Sequence, residues 1–100
     1  MKSLVETIKE TTPTLVVFEH DGNKDAMEVK YLIEELRSKY GSRAKIISVD
    51  TTHDGNYKVE YRLEEYPTYI LFKEGEELMR VSGKKTIAEL EDMITRAGVA

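Results

Sequence analysis

The sequence predicts an α/β fold built on a mixed β-sheet, and three features support this prediction. Helix-start motifs, each with an oxygen acceptor three residues before a glutamate, recur along the 100-residue chain. Short runs rich in β-branched and apolar residues lie between them, which is typical of buried strands. The first two runs are each followed by a helical pattern, whereas the last two are joined by a short turn. This arrangement indicates two parallel strands beside an antiparallel hairpin.

The predicted helices follow from these helix-start motifs. The motifs are Ser3-x-x-Glu6, Asp25-x-x-Glu28 and Thr86-x-x-Glu89. The first opens a short helix, and the second opens a helix over residues 26–40, where apolar residues recur at helical spacing and Gly41 permits a left-handed exit. The third opens a helix over residues 87–97. A further short helix over residues 56–63 fills the remaining gap between strands.

Four strands are predicted from the runs of β-branched and apolar residues. They cover residues 15–19, 45–49, 69–73 and 78–82. The first two are short and almost continuously apolar, so we expect both of their faces to be buried. Glu74-Gly75-Glu76 joins the last two as a short turn, which predicts a β-hairpin. No linker or structural repeat interrupts the pattern, so we expect a single domain over residues 1–100.

Six segments of the chain resemble thioredoxin segments and occur in the order of that family. They cover residues 14–18, 32–36, 45–50, 61–68, 72–76 and 81–83. Single motifs of this kind are weak, but the ordered set is specific. The sequence therefore resembles the thioredoxin-like family, and this resemblance implies an α/β domain with a mixed central β-sheet flanked by helices on both faces.

The resemblance is accompanied by the absence of cysteine from the whole chain. The positions of the family's Trp-Cys-Gly-Pro-Cys motif hold Gly22, Asn23, Lys24, Asp25 and Ala26. Val17 and Ile46 occupy positions where the family usually carries a buried aspartate and a lysine. Because the attacking group in disulfide exchange is a thiolate, this chain is excluded from that chemistry. We expect a natural redox-inactive member, and the alternative is a cysteine-free engineered thioredoxin.

The segment Tyr66-Pro67-Thr68 is the best candidate for a retained binding function. The resemblance implies that Pro67 is cis, faces the former active-site loop, and follows a residue whose backbone pairs with an extended substrate chain. Such a groove depends on backbone groups and needs no cysteine. The predicted peptide-binding residues are Gly22, Asn23, Lys24, Asp25, Ala26, Tyr66, Pro67 and Thr68. Alternatively, Pro67 only shapes the loop that enters the hairpin.

The tetrapeptide His-Asp-Gly-Asn occurs twice, at residues 20–23 and 53–56, each time after a predicted parallel strand. Both copies should lie at the carboxyl edge of the sheet, where α/β folds often bind ligands. Two histidines and two aspartates could form a metal site. The interpretation we favour is turn chemistry, in which His20 and His53 are exposed and share no ligand, while Asn56, and Asn23 or Asp25, serve helix starts.

Composition limits the remaining function classes. The chain is 40% hydrophobic and 34% charged, with a net charge of −4. Interleaved acidic and basic residues argue against a nucleic-acid partner, and no run is long enough to span a membrane. The N-terminus also lacks a secretory signal pattern, so a cytoplasmic location is expected. No cofactor or resident metal is predicted, and the oligomeric state is left open.

Together these observations predict a redox-inactive thioredoxin-like module, not an enzyme, that binds a protein or an extended peptide near the loop around Pro67. The resemblance suggests a role like that of the redox-inactive domains of protein disulfide isomerases. Two alternatives stay open: a metal-dependent enzyme that uses the paired His-Asp-Gly-Asn segments, and a cysteine-free engineered thioredoxin derived from a disulfide oxidoreductase.

Overall fold

A computed structural model describes residues 3–20, 22, 26–53 and 55–99 of the chain. Helices and strands alternate along most of it. In chain order they are α1 (Leu4–Ile8), β1 (Thr14–Glu19), α2 (Ala26–Tyr40), a 3₁₀ helix (Gly41–Arg43), β2 (Lys45–Asp50), α3 (Asn56–Glu60), β3 (Thr68–Lys73), β4 (Glu76–Ser82) and α4 (Ile87–Arg96). No helix in this described part has the length and apolar character needed to cross a membrane.

The four strands form one mixed sheet in the order β2-β1-β3-β4. Strands β1 and β2 are parallel, and their register pairs Glu19 with Asp50 at the carboxyl ends. Strand β3 runs antiparallel to both β1 and β4. The predicted combination of a parallel pair and an antiparallel hairpin is therefore confirmed.

Helices cover both faces of the sheet, because side chains of successive strand residues point to opposite sides. Leu15 and Val17 of β1 pack in a cluster with buried residues of α2 and α4. Val16 and Phe18 pack on the other face, in a cluster that includes Ile8 of α1. All four of these β1 side chains are fully buried. This confirms the predicted α/β thioredoxin-like arrangement with helices on both faces.

Two of the three predicted helix-start motifs lie within the described residues, and both work as expected. The Ser3 hydroxyl accepts a hydrogen bond from the Glu6 amide at 3.2 Å. At α4, the Thr86 hydroxyl accepts from the Glu89 amide at 3.2 Å, and the Glu89 carboxylate accepts from the Thr86 amide at 3.1 Å. The third motif depends on Asp25, which lies outside the described residues.

Helix α3 is shorter than the predicted 56–63 because the chain turns left-handed at Arg62, where φ is 53°. The amide of Leu63 donates to the Lys58 carbonyl at 2.9 Å, and the amide of Arg62 donates to the Val59 carbonyl at 3.3 Å. This pair of bonds is a Schellman motif, which ends a helix. Glycine usually occupies the left-handed position, so the sequence contains no obvious stop signal here.

The β-hairpin turn is also tighter than predicted. Only Glu74 and Gly75 form it, with φ values of 54° and 85°, so β4 begins at Glu76. Two successive positive φ angles are the geometry of a two-residue type I′ turn. The turn amides are bound by the N-terminal region: Glu74 donates to the Glu10 carbonyl at 3.0 Å and Gly75 donates to the Ile8 carbonyl at 2.8 Å. The hairpin tip is thereby fixed to the end of α1.

Candidate functional site

The candidate site lies where the carboxyl end of β1 meets the start of β3. Phe18 of β1 pairs with Thr68 of β3, which places the segment after β1 beside the loop that precedes β3. Two hydrogen bonds fix the part of this loop that contains Pro67 and Thr68. The Pro67 carbonyl accepts from the Gly83 amide at 2.9 Å, and the Thr68 hydroxyl donates to the Glu65 carbonyl. Both Pro67 and Thr68 are buried.

Tyr66 presents the unpaired backbone of this loop. The peptide bond between Tyr66 and Pro67 is cis. No residue in the described part of the chain forms a hydrogen bond with the N–H or the C=O of Tyr66. Its side chain is half-buried, and its ring lies against the His20 imidazole with 5.3 Å between ring centroids. The loop therefore offers one donor and one acceptor on an aromatic surface.

The other predicted site residues fall on the segment between β1 and α2. Gly22 is exposed and has a φ of 87°, a conformation that glycine adopts without strain. Ala26 is the first residue of α2 and is exposed. Asn23, Lys24 and Asp25 lie outside the described residues. The structure thus places Gly22, Ala26, Tyr66, Pro67 and Thr68, and it brings Tyr66 into contact with His20.

Apolar side chains occupy the two core positions, 17 and 46, where the resemblance to thioredoxins implies a buried aspartate and a lysine. Val17 is fully buried, and Ile46 is 4% exposed. Both belong to the apolar cluster between the sheet and helices α2 and α4. An apolar side chain at these positions avoids the cost of burying an unpaired charge. Neither of these two side chains can accept a proton.

His20 and His53 do lie near the same edge of the sheet, as predicted, since both are close to Asp50 at the carboxyl end of β2. His20 and His53 are both exposed. Hydrogen bonds from Thr52 lower the pKa of Asp50, and the nearby His53 and His20 lower it further. Among the described residues, no three His, Asp or Glu side chains are placed to hold a metal ion. Asp21 and Asp54 lie outside the described residues.

One prediction about these segments is wrong. Helix α3 does begin at Asn56, as predicted, but the capping role expected for Asn56 is not found, because Gly55 is the N-cap residue. The reason is that Gly55 already has a helical conformation, with φ −67° and ψ −11°. The helix-start roles expected for Asn23 or Asp25 lie outside the described residues.

Sequence reasoning assigned no role to Glu19, the last residue of β1. It is half-buried beside Asp50, and burial followed by the Asp50 charge raises its pKa. The sequence does contain an indication of its role. Glu19 directly follows the buried apolar run of β1, and an acid at the end of such a strand is only partly solvated. Its register against a second acid could be deduced from the predicted parallel pairing.

This fold and sequence match a known family. The thioredoxin family model matches residues 5–96. The chain belongs to the thioredoxin family. Because the whole sequence contains no cysteine, this member has no thiolate with which to reduce or form a disulfide.

Individual thioredoxins are similar over most of their length. Thioredoxin C-2 of Corynebacterium nephridii is 29% identical over 83 residues, which cover 83% of this chain and 77% of that protein. Thioredoxin 1 of Synechococcus elongatus is 26% identical over 90 residues, which cover 87% and 84% of the two chains. These similarities agree with the family assignment over most of the chain.

Solved structures agree with the fold assignment. A designed protein superimposes with a TM-score of 0.84 at 25% identity, over 93% of this chain and 82% of that chain. A malarial protein superimposes with a TM-score of 0.80 at 20% identity, over 88% and 99% of the two chains. The second comparison supports the thioredoxin fold alone.

Proposed function

We propose that this chain is a redox-inactive thioredoxin-family module that binds an extended segment of a partner protein along Tyr66, beside Gly22 and the start of α2. The observation that carries the proposal is the unpaired N–H and C=O of Tyr66. An extended peptide can satisfy both groups with one antiparallel pair of hydrogen bonds. The proposal assigns the chain no catalytic role.

The surroundings of Tyr66 suit backbone recognition. The neighbouring Pro67 carbonyl is already bonded to Gly83, so the loop is held in place while the groups of Tyr66 remain available. The Tyr66 and His20 rings supply a rigid surface on which a partner side chain can pack. Exposed Gly22 adds no side chain that would obstruct the approach. The cytoplasmic location predicted from the sequence stays a prediction.

The test is selection of short unstructured peptides by the immobilised protein, followed by amide hydrogen exchange of the complex. We expect a selected peptide to slow exchange of the Tyr66 amide, because a new hydrogen bond protects it. The Gly83 amide is the internal control, since it is already bonded to Pro67 and should change little. Peptides that bind while the Tyr66 amide stays unprotected would contradict the proposal.

A matched pair of variants tests whether the Tyr66 ring contributes to peptide binding more than another aromatic ring on the same face does. Tyr66→Ala should weaken peptide binding, because it removes the aromatic surface while retaining the backbone groups. Tyr57→Ala is the control, since Tyr57 is also half-buried but packs on Phe18, with 6.1 Å between ring centroids. Equal weakening by the two variants would indicate a general loss of packing on this face.

The second candidate is an engineered, cysteine-free thioredoxin. One observation favours it: a designed protein is among the structures similar to this chain. The replacement of the supporting core positions by Val17 and Ile46 favours the natural alternative, because removing thiols requires no change there. The genome of the source organism distinguishes the two, since a natural member has a chromosomal gene that encodes both residues.

A further inference from the structure

A cavity of about 430 Å³ lies between helix α2 and the carboxyl ends of strands β1 and β2. Its sheet side is formed by Glu19 and Ser48, and its helix side includes the apolar residues Ala26, Met27 and Ile33. The volume lies in the range of small-molecule sites. The cavity and Tyr66 lie on opposite faces of the sheet, because Tyr66 packs with the other cluster, and the cavity meets the proposed peptide site at Ala26, which belongs to both.

Glu19 is the acidic group of this cavity. Leu15 and Val17 of the same strand face α2, and strand alternation directs Glu19 to that side as well. The side chain is half-buried, and its carboxylate forms no ion pair or hydrogen bond within the described part of the chain. Its partner in the sheet register is another acid, Asp50. Burial, and then the Asp50 charge, raise the pKa of Glu19.

The cations at the rim of the cavity do not neutralise Glu19. Arg37 is occupied, because its Nε donates to the Ile46 carbonyl at 2.9 Å and its Nη1 donates to the Glu34 carboxylate at 2.8 Å. Lys30 is exposed and is not among the groups that shift the pKa of Glu19. The adjacent acid is held in its charged form, since the Thr52 amide donates to the Asp50 carboxylate at 2.9 Å.

We propose that this cavity binds an aliphatic primary ammonium group. The ammonium would form a charge-assisted hydrogen bond with the Glu19 carboxylate, and its alkyl chain would lie along Ala26, Met27 and Ile33. A lysine side chain of another protein and a free alkylamine both carry this group. The carboxylate of Asp50 adds a second negative charge that favours a cation over a neutral ligand.

The test uses n-butylamine as the probe and isotope-labelled protein in a nuclear magnetic resonance titration. We expect saturable shifts in the amides of Met27 and Ser48 and in the carboxyl carbon of Glu19, together with a lowered pKa of Glu19. The nearby ionisable groups, His20, Asp50, Lys30 and Glu34, should be followed in the same titration. N-butanol, a neutral probe of similar shape, should bind more weakly by roughly tenfold or more.

Matched variants identify the acid that binds the ammonium. Glu19→Gln should weaken binding of n-butylamine by roughly tenfold or more, because it removes the charge and keeps the shape of the side chain. Glu35→Gln makes the same change in net charge on the exposed surface of α2, outside the cavity, and should leave binding unchanged. Equal weakening by both variants would overturn the proposal. The amide spectrum of each variant reports whether the fold is retained.

Two further probes complete the experiment. Lysine blocked at both its amino and carboxyl ends should bind if the natural ligand is a protein side chain, whereas binding of n-butylamine alone supports a free amine. Tighter binding of butyrate than of n-butylamine would overturn the proposal, because it would show that Lys30 and Arg37 determine the ligand. Absence of saturable shifts at Met27 and Ser48 would overturn it as well.

Discussion

The two His-Asp-Gly-Asn segments have the same sequence, but the backbone conformation differs at their glycines. Gly22 in the first copy has a φ of 87°, whereas Gly55 in the second has a φ of −67° and caps helix α3. Their histidines differ too, since His20 contacts the Tyr66 ring and His53 forms no ring contact in the described part of the chain. Because the four residues are identical, the flanking elements must determine the difference. The comparison shows that tertiary context selects the conformation of a short turn sequence.

Substitution of the two glycines should give the largest difference between the two segments. Gly22→Ala should reduce the free energy of unfolding by about 1–2 kcal/mol, because an L-residue is strained in the left-handed region. Within the described residues, no heavy atom beyond the two chain neighbours lies within 4 Å of the added methyl group at either position, so steric contact does not explain the difference. Chemical denaturation of both variants is the measurement.

Gly55→Ala is the control and should be close to neutral. Its reduced freedom in the unfolded chain is worth about 0.4–1 kcal/mol, and this gain offsets the loss of a favoured N-cap residue. A destabilisation of Gly55→Ala as large as that of Gly22→Ala would show that both segments need glycine for the same reason.

Removal of each imidazole should have a smaller effect than the glycine substitutions. The effect should be on the affinity for a peptide and not on the stability of the fold. His20→Ala should weaken binding of a selected peptide, because the His20 ring forms part of the surface around Tyr66. His53→Ala should leave that affinity unchanged. Calorimetric titration of both variants with the same peptide checks this expectation. If His53→Ala weakens binding as much, the peptide contacts both segments.

The smallest expected effect concerns the acids that lead into the two segments. Burial raises the pKa of Glu19 above its ordinary value of 4.5, so the folded state binds the proton more tightly than the unfolded state. Stability should therefore fall as the pH rises from about 4.5 through the folded-state pKa. Glu19→Gln should remove this decrease, as measured by urea denaturation at several pH values.

Asp50 should behave in the opposite way. Hydrogen bonds from Thr52 lower its pKa below the ordinary value of 3.8, so its contribution to stability is present above that pH and is lost as the pH falls through the folded-state pKa. Asp50→Asn should remove this loss of stability at low pH. The two variants therefore change opposite ends of the pH profile, and changes in the same direction would contradict the assigned causes.

The fold was predictable because most of its elements carry a local signal. Helix α2 has the predicted bounds, since its apolar residues recur at helical spacing and Gly41 takes a left-handed φ of 54°. The end of α3 was not predictable, because Arg62 has no local signal for that conformation. A contact from a distant strand supports it: Arg80 Nη1 donates to the Arg62 carbonyl at 3.1 Å.

The candidate site was predictable only in part. The resemblance identified Tyr66-Pro67-Thr68 from its position in the ordered motifs, and the structure places these residues at and just before the start of β3, opposite the end of β1. The contact between His20 and Tyr66 joins residues far apart in the chain, so no local pattern could indicate it. The cavity beside Glu19 likewise depends on how α2 packs over β1 and β2.

The attachment of the hairpin tip to α1 has a consequence for the order of folding. A helix of five residues is too short to persist by itself, because initiation costs more than so few hydrogen bonds return. The carbonyls of Ile8 and Glu10 receive their donors from Gly75 and Glu74, which are distant from them in the sequence. The N-terminal segment therefore gains these two bonds only when the hairpin has formed, and fraying of α1 would leave the turn amides without their acceptors while the central strands stay paired.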